Sequence, residues 1–390
     1  MRITHVTDCY LPRLGGIEVQ VRELALQQKT AGHDVRVITA TPGDDVERGV
    51  DLVDGLEVHR VTARMPYDLP LHPRVNFHIA AILRRHPTDV VHAHGGVVSP
   101  FAYPAARRAA RLGVPTVMTI HSLWASATPA FSLADRVLRW SRWGVTLSAV
   151  SEAAAAPIRE IVAGRQPVYV TNNGIDVAHW RTSAGTGAAR SGAARSGAAR
   201  SDGAVHIVAV MRLAPRKRSL PLVSMLNEVR RAVPADIALR ATLAGDGPAM
   251  GKVRGYLEAH DMTEWVTLAG RLDHDEIRAL YADADIFVAP AQLESFGLAA
   301  LEARTAGVPV VAFRATGMAE FVTDGVEGVL VDDDASMVVA LAWLASDAAE
   351  RTKIAEHNRA TVPEQDWPRV LERVDEVYAA AIASQRSSTT

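Results

Sequence analysis

Residues 286–313 read IFVAPAQLESFGLAALEARTAGVPVVAF, and the fold class can be predicted from this segment. It begins with a run of strand-forming residues at 286–289, continues with an apolar helical pattern at 298–306 and ends with a second strand-forming run at 310–313. A strand, a helix and a second strand in this order form the βαβ unit of a parallel sheet. The stretch therefore predicts an α/β fold in which helices cover both faces of the sheet.

The same alternation extends along the whole chain in two series. Strand-forming runs of the first series lie at 3–6, 35–38, 58–61, 90–92, 116–120, 146–150 and 168–171. Those of the second series lie at 205–210, 238–244, 266–268, 286–289, 310–313 and 328–331. The pattern predicts two Rossmann-like, doubly wound domains. Such sheets bind ligands at the carboxyl ends of their strands, and we expect the two domains to face a central cleft there.

A short repeat marks the boundary between the two series. Residues 187–201 read GAARSGAARSGAARS, a composition with frequent glycine and no apolar face to bury. We interpret residues 183–204 as a solvated linker between domains at 1–182 and 205–365; the alternative is a basic arm that binds a partner. Residues 366–384 have apolar side chains at helical spacing, and we expect this final helix to return to the first domain.

The composition excludes several classes of protein. The 390 residues are 48% hydrophobic and 22% charged, which is typical of a folded, soluble protein. The formal net charge of −2 argues against nucleic acid as a partner. The single cysteine, Cys9, excludes an internal disulfide and a cysteine-rich metal site. Since no apolar run is long enough to span a bilayer and no signal-peptide pattern is present, we expect a cytoplasmic protein.

Two basic residues follow the first strand of the second series. Arg212 and Lys217 lie beyond the run at 205–210, at the expected ligand-binding edge of the sheet. Arginine binds a diphosphate through two parallel hydrogen bonds, and lysine acts on it as a point charge. The pair therefore suits a diphosphate ligand; the alternative is an exposed basic turn without a ligand.

Two acidic residues follow a later strand of the second series. Glu294 lies in the loop after the run at 286–289, and Glu302 lies in the helix that follows. Carboxylates at this separation can bind two parts of one polyhydroxylated ligand, while the amides of Phe296, Gly297 and Leu298 face a phosphate. The alternative is that Glu294 only complements the helix dipole and Glu302 lies on the surface.

The first series offers a glycine pair and three histidines near strand ends. Gly15 and Gly16 precede the first helix and would let a phosphate approach, although such a pair more often only forms the turn. His121 ends a strand-forming run and can donate to a sugar hydroxyl or stabilise developing charge, although single histidines are usually structural. We expect His92 and His94 to point to opposite faces of their strand, which argues against a metal site.

The order and spacing of these residues, with NNGID at 172–176, resemble family 4 of the retaining glycosyltransferases. The resemblance covers nearly the whole chain, and the block around Glu294 and Glu302 is its most specific part. It implies the GT-B architecture of two Rossmann-like domains. It also implies transfer of a sugar from a nucleotide-diphosphate sugar to an acceptor, with retention of the anomeric configuration and no obligatory metal or other cofactor.

The resemblance implies that three of the candidate residues contact the donor diphosphate. Gly16 is implied to lie against the phosphates, and Arg212 and Lys217 to neutralise the leaving group. The chain departs from the family pattern here, because Met211 and Arg218 stand where glycines usually precede the arginine and follow the lysine.

The remaining roles implied by the resemblance concern the sugar and the nucleoside. His121 is implied to lie beside the transferred sugar, Glu294 near its hydroxyls and Glu302 on the ribose hydroxyls. The backbone of three residues is implied to lie near the base: Gly270, Arg271 and Leu272.

The first half is especially similar to the GlcNAc transferase of glycosylphosphatidylinositol synthesis and its bacterial relatives, in DCYLPRLGGIEVQV and in VVHAHGGVVSPFAYPAARRAARLGVPTVMTIHSLW. This similarity favours a UDP-sugar such as UDP-GlcNAc over GDP-mannose, and a lipid or inositol-type acceptor. Two other functions stay open: a sugar-nucleotide epimerase of the same twin-Rossmann plan, and a non-catalytic protein that binds a nucleotide sugar.

A basic and aromatic stripe in the first half predicts peripheral contact with the anionic inner face of a membrane. Arg136, Arg139, Trp140 and Trp143 have the spacing of one helical face. The alternative is that both tryptophans belong to the core and the arginines are only exposed.

Overall fold

The computed structural model of the chain describes residues 1–13, 15–63, 72–124, 127–181 and 203–389. The chain divides into two compact units. The first comprises Met1–Gly174 and Gln365–Thr390, and the second comprises Ile175–Glu364. The predicted linker at 183–204 lies outside the described residues except for its last two positions.

The described residues of the first unit contain one eight-stranded sheet with the order β3-β4-β2-β1-β5-β6-β7-β8. All neighbours pair in parallel except β3 and β4, which are antiparallel. The strands are β1 (Arg2–Thr7), β2 (Asp34–Thr39), β3 (Gly49–Val53), β4 (Leu56–Arg60), β5 (Val90–Gly95), β6 (Thr116–Ile120), β7 (Thr146–Ala149) and β8 (Val168–Val170).

Strand β3 is the one element of this sheet that departs from the predicted parallel pattern. It forms a hairpin with β4 through Asp54 and Gly55, whose φ angles are 51° and 73°. Positive φ at both central residues is the turn geometry that an Asp-Gly pair favours, so this dipeptide was the available signal. Val50 and Leu52 of β3 are exposed, and the strand lacks the buried apolar run that marks the others.

The final helix packs in the first unit, as predicted. The helices of this unit are α1 (Gly16–Thr30), α2 (Val75–Arg85), α3 (Ala102–Arg111), α4 (Thr128–Leu138), α5 (Glu152–Val162) and α13 (Trp367–Thr389). Trp367, Val374 and Tyr378 of α13 are buried in one apolar cluster with Val21 of α1 and Val117 of β6. Among the described residues, no helix combines the length and the apolar character needed to cross a membrane.

The second unit has a six-stranded sheet with the order β11-β10-β9-β12-β13-β14, and all its neighbours pair in parallel. The strands are β9 (Val205–Val210), β10 (Leu239–Ala244), β11 (Val266–Gly270), β12 (Ile286–Ala289), β13 (Val310–Phe313) and β14 (Gly328–Val331). The helices are α6 (Val177–Trp180), α7 (Ser219–Ala232), α8 (Met250–Ala259), α9 (His274–Ala282), α10 (Leu298–Thr305), α11 (Asp334–Ser346) and α12 (Ala348–Ala360).

The order of strands reverses once in each unit, beside the first strand of each series. β1 lies between β2 and β5, and β9 lies between β10 and β12. At such a reversal the connections leave the sheet on opposite sides and open a crevice at the carboxyl ends of the strands. The predicted α/β class with two Rossmann-like units is therefore confirmed, and the candidate residues follow strands at or next to these reversals.

Candidate active site

An ion pair joins the two loops at the strand reversal of the second unit. Lys217 ends a short 3-10 turn after β9, and Glu294 lies in the loop after β12, the neighbouring strand. The Lys217 Nζ donates to the Glu294 Oε2 at 2.5 Å. Their side chains are 36% and 18% exposed, so the pair stays accessible to a ligand.

Arg212 lies in the loop between β9 and Lys217, and its residue surface is exposed. Across the part of the chain that the structure describes, its guanidinium has no hydrogen-bond or ion-pair partner. Two cationic side chains thus follow the same strand, one held by a carboxylate and one without a protein partner in the described residues. Such a pair can bind the two phosphates of a diphosphate.

Two glycines of the turn after β10, Gly245 and Gly247, hold the Arg212 loop in place. A Cβ at Gly245 would lie 1.9 Å from the carbonyl oxygen of Met211, and one at Gly247 would lie 2.4 Å from that of Leu213. Gly245 also has a positive φ of 129°. The backbone of this turn therefore packs directly against the loop, which leaves no room for any other residue type.

The segment before α10 directs backbone amides towards the same edge of the sheet. Gly297 is the N-cap of α10 with a φ of 95°, and a Cβ there would lie 2.5 Å from the side chain of Met318. The Phe296 side chain is buried and packs on Phe321 at a centroid distance of 5.5 Å. Phe296 therefore anchors the loop, while the first amides of the helix, including that of Leu298, have no acceptor within the helix.

Glu302 lies on α10 beside the ring of Tyr281. The Tyr281 hydroxyl donates to the carbonyl oxygen of Ala299 at 3.0 Å and lies 3.4 Å from the Glu302 Oε2. Burial raises the pKa of Glu302 to about 7, and the hydrogen bond from Tyr281 acts on this pKa in the opposite direction. The carboxyl group therefore changes its charge near neutral pH.

The segment predicted to lie near the base ends the neighbouring strand β11. Gly270 has a φ of 71°, and its carbonyl oxygen accepts from the amide of Gly245 at 2.6 Å. Arg271 is exposed and Leu272 is half-buried. The turn that supports Arg212 is therefore hydrogen-bonded to the Gly270 segment, so these two candidate regions share one backbone framework.

Arg218 explains one of the departures from the family pattern. It has a φ of 60° and ψ of 35° at the N-cap of α7, a left-handed conformation that a glycine adopts without strain. Its guanidinium donates to both carboxylate oxygens of Asp334, at 2.6 Å for one of them. It also lies over the ring of Phe313. These contacts offset the conformational cost that glycine avoids.

Gly16 begins α1 directly after the first loop of the first unit. A Cβ built there would meet no described atom within 4 Å, and Gly16 does not have a positive φ. A Cβ at Gly15 would instead lie 2.5 Å from the carboxylate of Glu18. The described structure therefore gives no internal reason for glycine at 16, which is consistent with a ligand that approaches it.

The expectation that His92 and His94 point to opposite faces of β5 is wrong. Their ring centroids lie 4.1 Å apart. Residues i and i+2 of a strand share a face, since side chains alternate with a period of two. Both histidines are buried, and burial lowers their pKa values well below the usual value.

His121 directly follows β6 and contacts this buried pair. Its Nε2 lies 3.1 Å from the Nδ1 of His94. Burial lowers the pKa of His121 to about 4, so the imidazole is neutral at physiological pH. His121 can therefore exchange hydrogen bonds with a sugar hydroxyl, but it does not bring a positive charge to the site.

Three buried histidines have the composition of a metal site: His5, His92 and His94. Each of their six ring nitrogens, however, has a hydrogen-bonding partner between 2.7 and 3.1 Å away. A metal ion bound to one nitrogen of each histidine would have to displace at least two of these bonds. The donor set fits a hydrogen-bonded cluster better than a metal centre.

The predicted basic and aromatic stripe does not form one helical face. Helix α4 ends at Leu138, and Arg139 has a φ of 50°, which turns the chain. Trp140 and Trp143 are half-buried, and the indole N–H of each donates to a carbonyl oxygen of α4. Only the arginines of the stripe, Arg136 and Arg139, are exposed.

Other apolar side chains accompany these arginines at the surface of α4. Leu133, Val137 and Leu138 are 61%, 73% and 52% exposed. Together with Arg136 and Arg139 they form an apolar surface with a basic margin. The spacing of the tryptophans did not identify this surface, whereas the exposed aliphatic residues do.

Comparisons with known proteins match both halves of the chain. Residues 14–179 match the family model Glycosyltransferase Family 4, and residues 194–361 match the model Glycosyl transferases group 1. Together the two models span the segments that carry the candidate residues of both units.

Three curated relatives are similar over nearly the whole chain. Glycogen synthase of Mycobacterium tuberculosis is 30% identical over 99% of this chain and 96% of its own length. A phosphatidylinositol N-acetylglucosaminyltransferase of Arabidopsis thaliana is 26% identical, covering 100% of this chain and 84% of its own. GDP-mannose-dependent alpha-mannosyltransferase of Corynebacterium glutamicum is 28% identical, covering 100% and 92%.

Among solved structures, HepE of Anabaena in complex with UDP has a TM-score of 0.73. The two share 18% sequence identity, and the match covers 97% of this chain and 100% of HepE. At this identity the similarity shows the fold alone, and it extends over both units.

Proposed function

This chain belongs to the GT-B glycosyltransferases, and from that premise we propose that it transfers a sugar from a nucleotide-diphosphate sugar to a hydroxyl acceptor with retention of anomeric configuration. The observation that carries the proposal is the cation pair of the second unit. Arg212 and Lys217 follow β9 at the strand reversal, where doubly wound sheets bind phosphates. A leaving diphosphate needs its growing negative charge stabilised, and these two groups supply that stabilisation.

The proposed reaction is a single substitution at the anomeric carbon. The bond from that carbon to the diphosphate oxygen breaks, and the acceptor oxygen bonds to the same face of the sugar. The acceptor proton passes to the departing phosphate oxygen, so the products are the glycoside and the nucleotide diphosphate. Lys217, Arg212 and the first amides of α10 stabilise the leaving group.

Glu294 is the residue that a two-step mechanism would use as nucleophile. In the unliganded site it is ion-paired with Lys217 at 2.5 Å. A carboxylate held in an ion pair is a weaker nucleophile. A diphosphate that binds Lys217 would share this lysine with Glu294, so the carboxylate would stay ion-paired while it accepts hydrogen bonds from the hydroxyls of the sugar. We therefore propose that Glu294 positions the sugar, and that no covalent sugar–enzyme intermediate forms.

The roles proposed for Glu302, for His121 and for the Gly270–Leu272 backbone concern binding rather than bond breaking. Glu302 would accept hydrogen bonds from the ribose hydroxyls, and the Gly270 segment would lie near the base. His121, neutral because its burial lowers its pKa to about 4, would bind a hydroxyl of the sugar. A UDP-sugar is favoured as donor, with GDP-mannose as the principal competitor.

The direct test is incubation of the protein with UDP-GlcNAc, UDP-glucose and GDP-mannose, after a thermal-shift screen to select the donor that stabilises it most. Release of nucleotide diphosphate that depends on an added acceptor is the expected result, and proton NMR of the product should show the anomeric configuration of the donor. Interconversion of nucleotide sugars without acceptor would identify an epimerase instead. Stabilisation without any turnover would indicate a binding protein.

The acceptor is proposed to be a lipid or inositol-type molecule that the enzyme meets at an anionic membrane surface. The support for this proposal is the surface of α4, where Leu133 and Val137 are exposed beside Arg136 and Arg139. Exposed aliphatic residues with basic neighbours are typical of helices that lie at a membrane interface. Each basic residue near such a surface contributes about 1 kcal/mol.

Co-sedimentation with anionic and with neutral vesicles tests this part of the proposal. The doubly substituted variant Leu133→Ser/Val137→Ser should bind anionic vesicles less than the wild type does. Val339→Ser is the matched control, because Val339 is 68% exposed on α11 of the other unit. Equal and negligible binding of the wild type to both vesicle types would contradict the proposed membrane contact and favour a soluble acceptor.

A further inference from the structure

The buried histidines of the first unit belong to a longer chain of hydrogen bonds that runs from His121 to the final helix. From His121 the chain passes through His94 to His5, whose Nδ1 lies 2.9 Å from the His94 Nε2. The His5 Nε2 lies 2.7 Å from the Gln28 Oε1 of α1. The Gln28 Nε2 then donates to the Tyr378 hydroxyl of α13 at 3.0 Å.

Beyond Tyr378 the chain turns back to β5 and β6. The Tyr378 hydroxyl lies 2.8 Å from the Nδ1 of His92, and the His92 Nε2 lies 2.7 Å from the Thr119 Oγ1. Apart from His121, every member of the chain is buried, with at most 3% of its surface exposed. Water therefore does not compete for these bonds, and each group depends on its neighbours in the chain.

The direction of every bond follows from the amide of Gln28. A carbonyl oxygen only accepts, so the proton between Gln28 and His5 belongs to the His5 Nε2. Burial lowers the pKa of His5 to about 4, so the ring is neutral and its Nδ1 must accept. A neutral imidazole has one donor and one acceptor nitrogen, so the next bonds have the same direction. The His94 Nε2 donates to His5, and the His121 Nε2 donates to His94.

The same amide sets the other half of the chain. Because Gln28 donates to the Tyr378 hydroxyl, that hydroxyl gives its own proton to the Nδ1 of His92. The His92 Nε2 then donates to Thr119. Reversal of one bond would leave two donors or two acceptors facing each other unless every other bond reversed as well, so the chain has only two complete arrangements.

We propose that Gln28 and Tyr378 are positioning residues that hold His121 in the Nε2–H tautomer, leaving its Nδ1 as a hydrogen-bond acceptor. Any group that shares a hydrogen bond with this nitrogen, whether it belongs to the protein or to a ligand, must then donate, as a sugar hydroxyl does and a phosphate oxygen does not. The catalytic meaning of the inference rests on the function proposed above, whereas the tautomer itself does not. The final helix would thereby contribute to the site through hydrogen bonds alone.

The experiment is nitrogen-15 NMR of the full-length protein with labelled histidine, in which the signals of His121 are identified by their loss in His121→Gln. In the wild type, the Nε2 of His121 should be protonated and its Nδ1 unprotonated. Tyr378→Phe and Gln28→Met each cut the chain while nearly preserving side-chain volume, and both should allow the second tautomer of His121 to appear. Thr116→Val is the matched control, since it removes a buried hydroxyl of β6 that donates outside the chain, to the carbonyl oxygen of Val114, and should leave His121 unchanged.

A wild-type His121 protonated at Nδ1 would overturn the proposal, as would a His121 spectrum that neither Tyr378→Phe nor Gln28→Met alters. Melting curves of both variants establish that they are folded, and Gln28→Met keeps the test available if Tyr378→Phe does not fold. If the function is as proposed, Tyr378→Phe should also lower kcat more than Thr116→Val does. A wild type without transferase activity would contradict the function proposed above while leaving the spectroscopic test intact.

Discussion

The candidate residues of the two units differ in charge and in burial. The second unit offers three partly exposed side chains of charged type: Lys217 and Glu294, which form an ion pair, and Arg212 in the same loop region. The histidine of the first unit contacts a buried, neutral cluster whose pKa values are lowered by burial. Charged groups suit a phosphate and neutral groups suit a hydroxyl, so the candidate residues of the two units differ in the ligand groups that they can bind.

The two regions are also supported by different means. In the second unit, backbone brings the charged groups into position, because the glycine turn beside Met211 and Leu213 admits no side chain. In the first unit, a chain of side-chain hydrogen bonds orients the imidazole. Substitution of a supporting residue in the second unit should therefore displace the charged side chains by steric clash. Substitution of a supporting residue in the first unit should instead change which nitrogen of the imidazole carries the proton.

The largest expected effect is the loss of kcat when a charged residue of the second unit is substituted. Arg212→Ala and Lys217→Ala should each lower kcat by about 10²–10³-fold, because each removes a group that stabilises charge formed in the transition state. Their melting temperatures should stay close to that of the wild type, since both side chains are at the surface. Steady-state kinetics with the preferred donor provide the measurement, and a near-normal kcat in both variants would contradict the assigned roles.

The next prediction compares two glycines: Gly245, which packs against the backbone of the Arg212 loop, and Gly16, which we propose a ligand approaches. Gly245→Ala adds a Cβ against the Met211 carbonyl oxygen at a positive φ, which should cost about 1–3 kcal/mol of unfolding free energy and displace Arg212. Gly16→Ala is the matched substitution, with open space around the new Cβ among the described residues. It should leave the melting temperature unchanged and raise the donor KM, and a large loss of stability would instead indicate a structural role.

The two carboxylates of the second unit should separate by kinetic parameter. Glu294→Gln should lower kcat, whereas Glu302→Gln should mainly raise the donor KM, because a ribose contact is made equally in the ground and transition states. The opposite pattern would exchange the two assignments. Measurements over a range of donor concentrations distinguish these outcomes.

The raised pKa of Glu302 predicts that the stability and the donor KM of the protein depend on pH. Its pKa of about 7 lies above the ordinary value of 4.5, so the folded state binds this proton more tightly than the unfolded state does. The stability it contributes is full below pH 4.5 and is lost as the pH rises towards 7. Relative to Glu302→Gln, the wild type should therefore lose melting temperature between about pH 5 and pH 8. Its donor KM should fall over the same range as the carboxylate ionises, and a parallel response of both proteins would refute this.

The smallest effect concerns the left-handed residue beside Lys217. Arg218→Ala loses the contact with Asp334 and keeps the unfavourable φ, whereas Arg218→Gly loses the same contact but relieves the backbone. The glycine variant should therefore be about 1 kcal/mol more stable than the alanine variant. Urea unfolding of the two variants measures this difference, and equal stabilities would mean that the conformation carries no cost.

Much of the fold could be predicted because buried parallel strands leave a strong local signal. Each predicted strand-forming run overlaps a strand of the structure. The exposed strand β3 lacked that signal, and only its Asp-Gly turn indicated it. The prediction of one helical face around Trp140 was wrong because helix α4 ends at Leu138, and helical spacing does not apply beyond that residue.

The succession of strands and helices along the chain, and the residue types that follow each strand, can be predicted from the sequence alone. These are local properties, since a strand, a turn or a basic loop is encoded by neighbouring residues. Three contacts become visible only in the tertiary structure. Lys217 pairs with Glu294, and Gly245 supports the loop of Arg212. Tyr378 shares a hydrogen-bond chain with His121. Such contacts join residues far apart in the chain, and their partners depend on strand order and on the docking of the last helix, which no local pattern specifies.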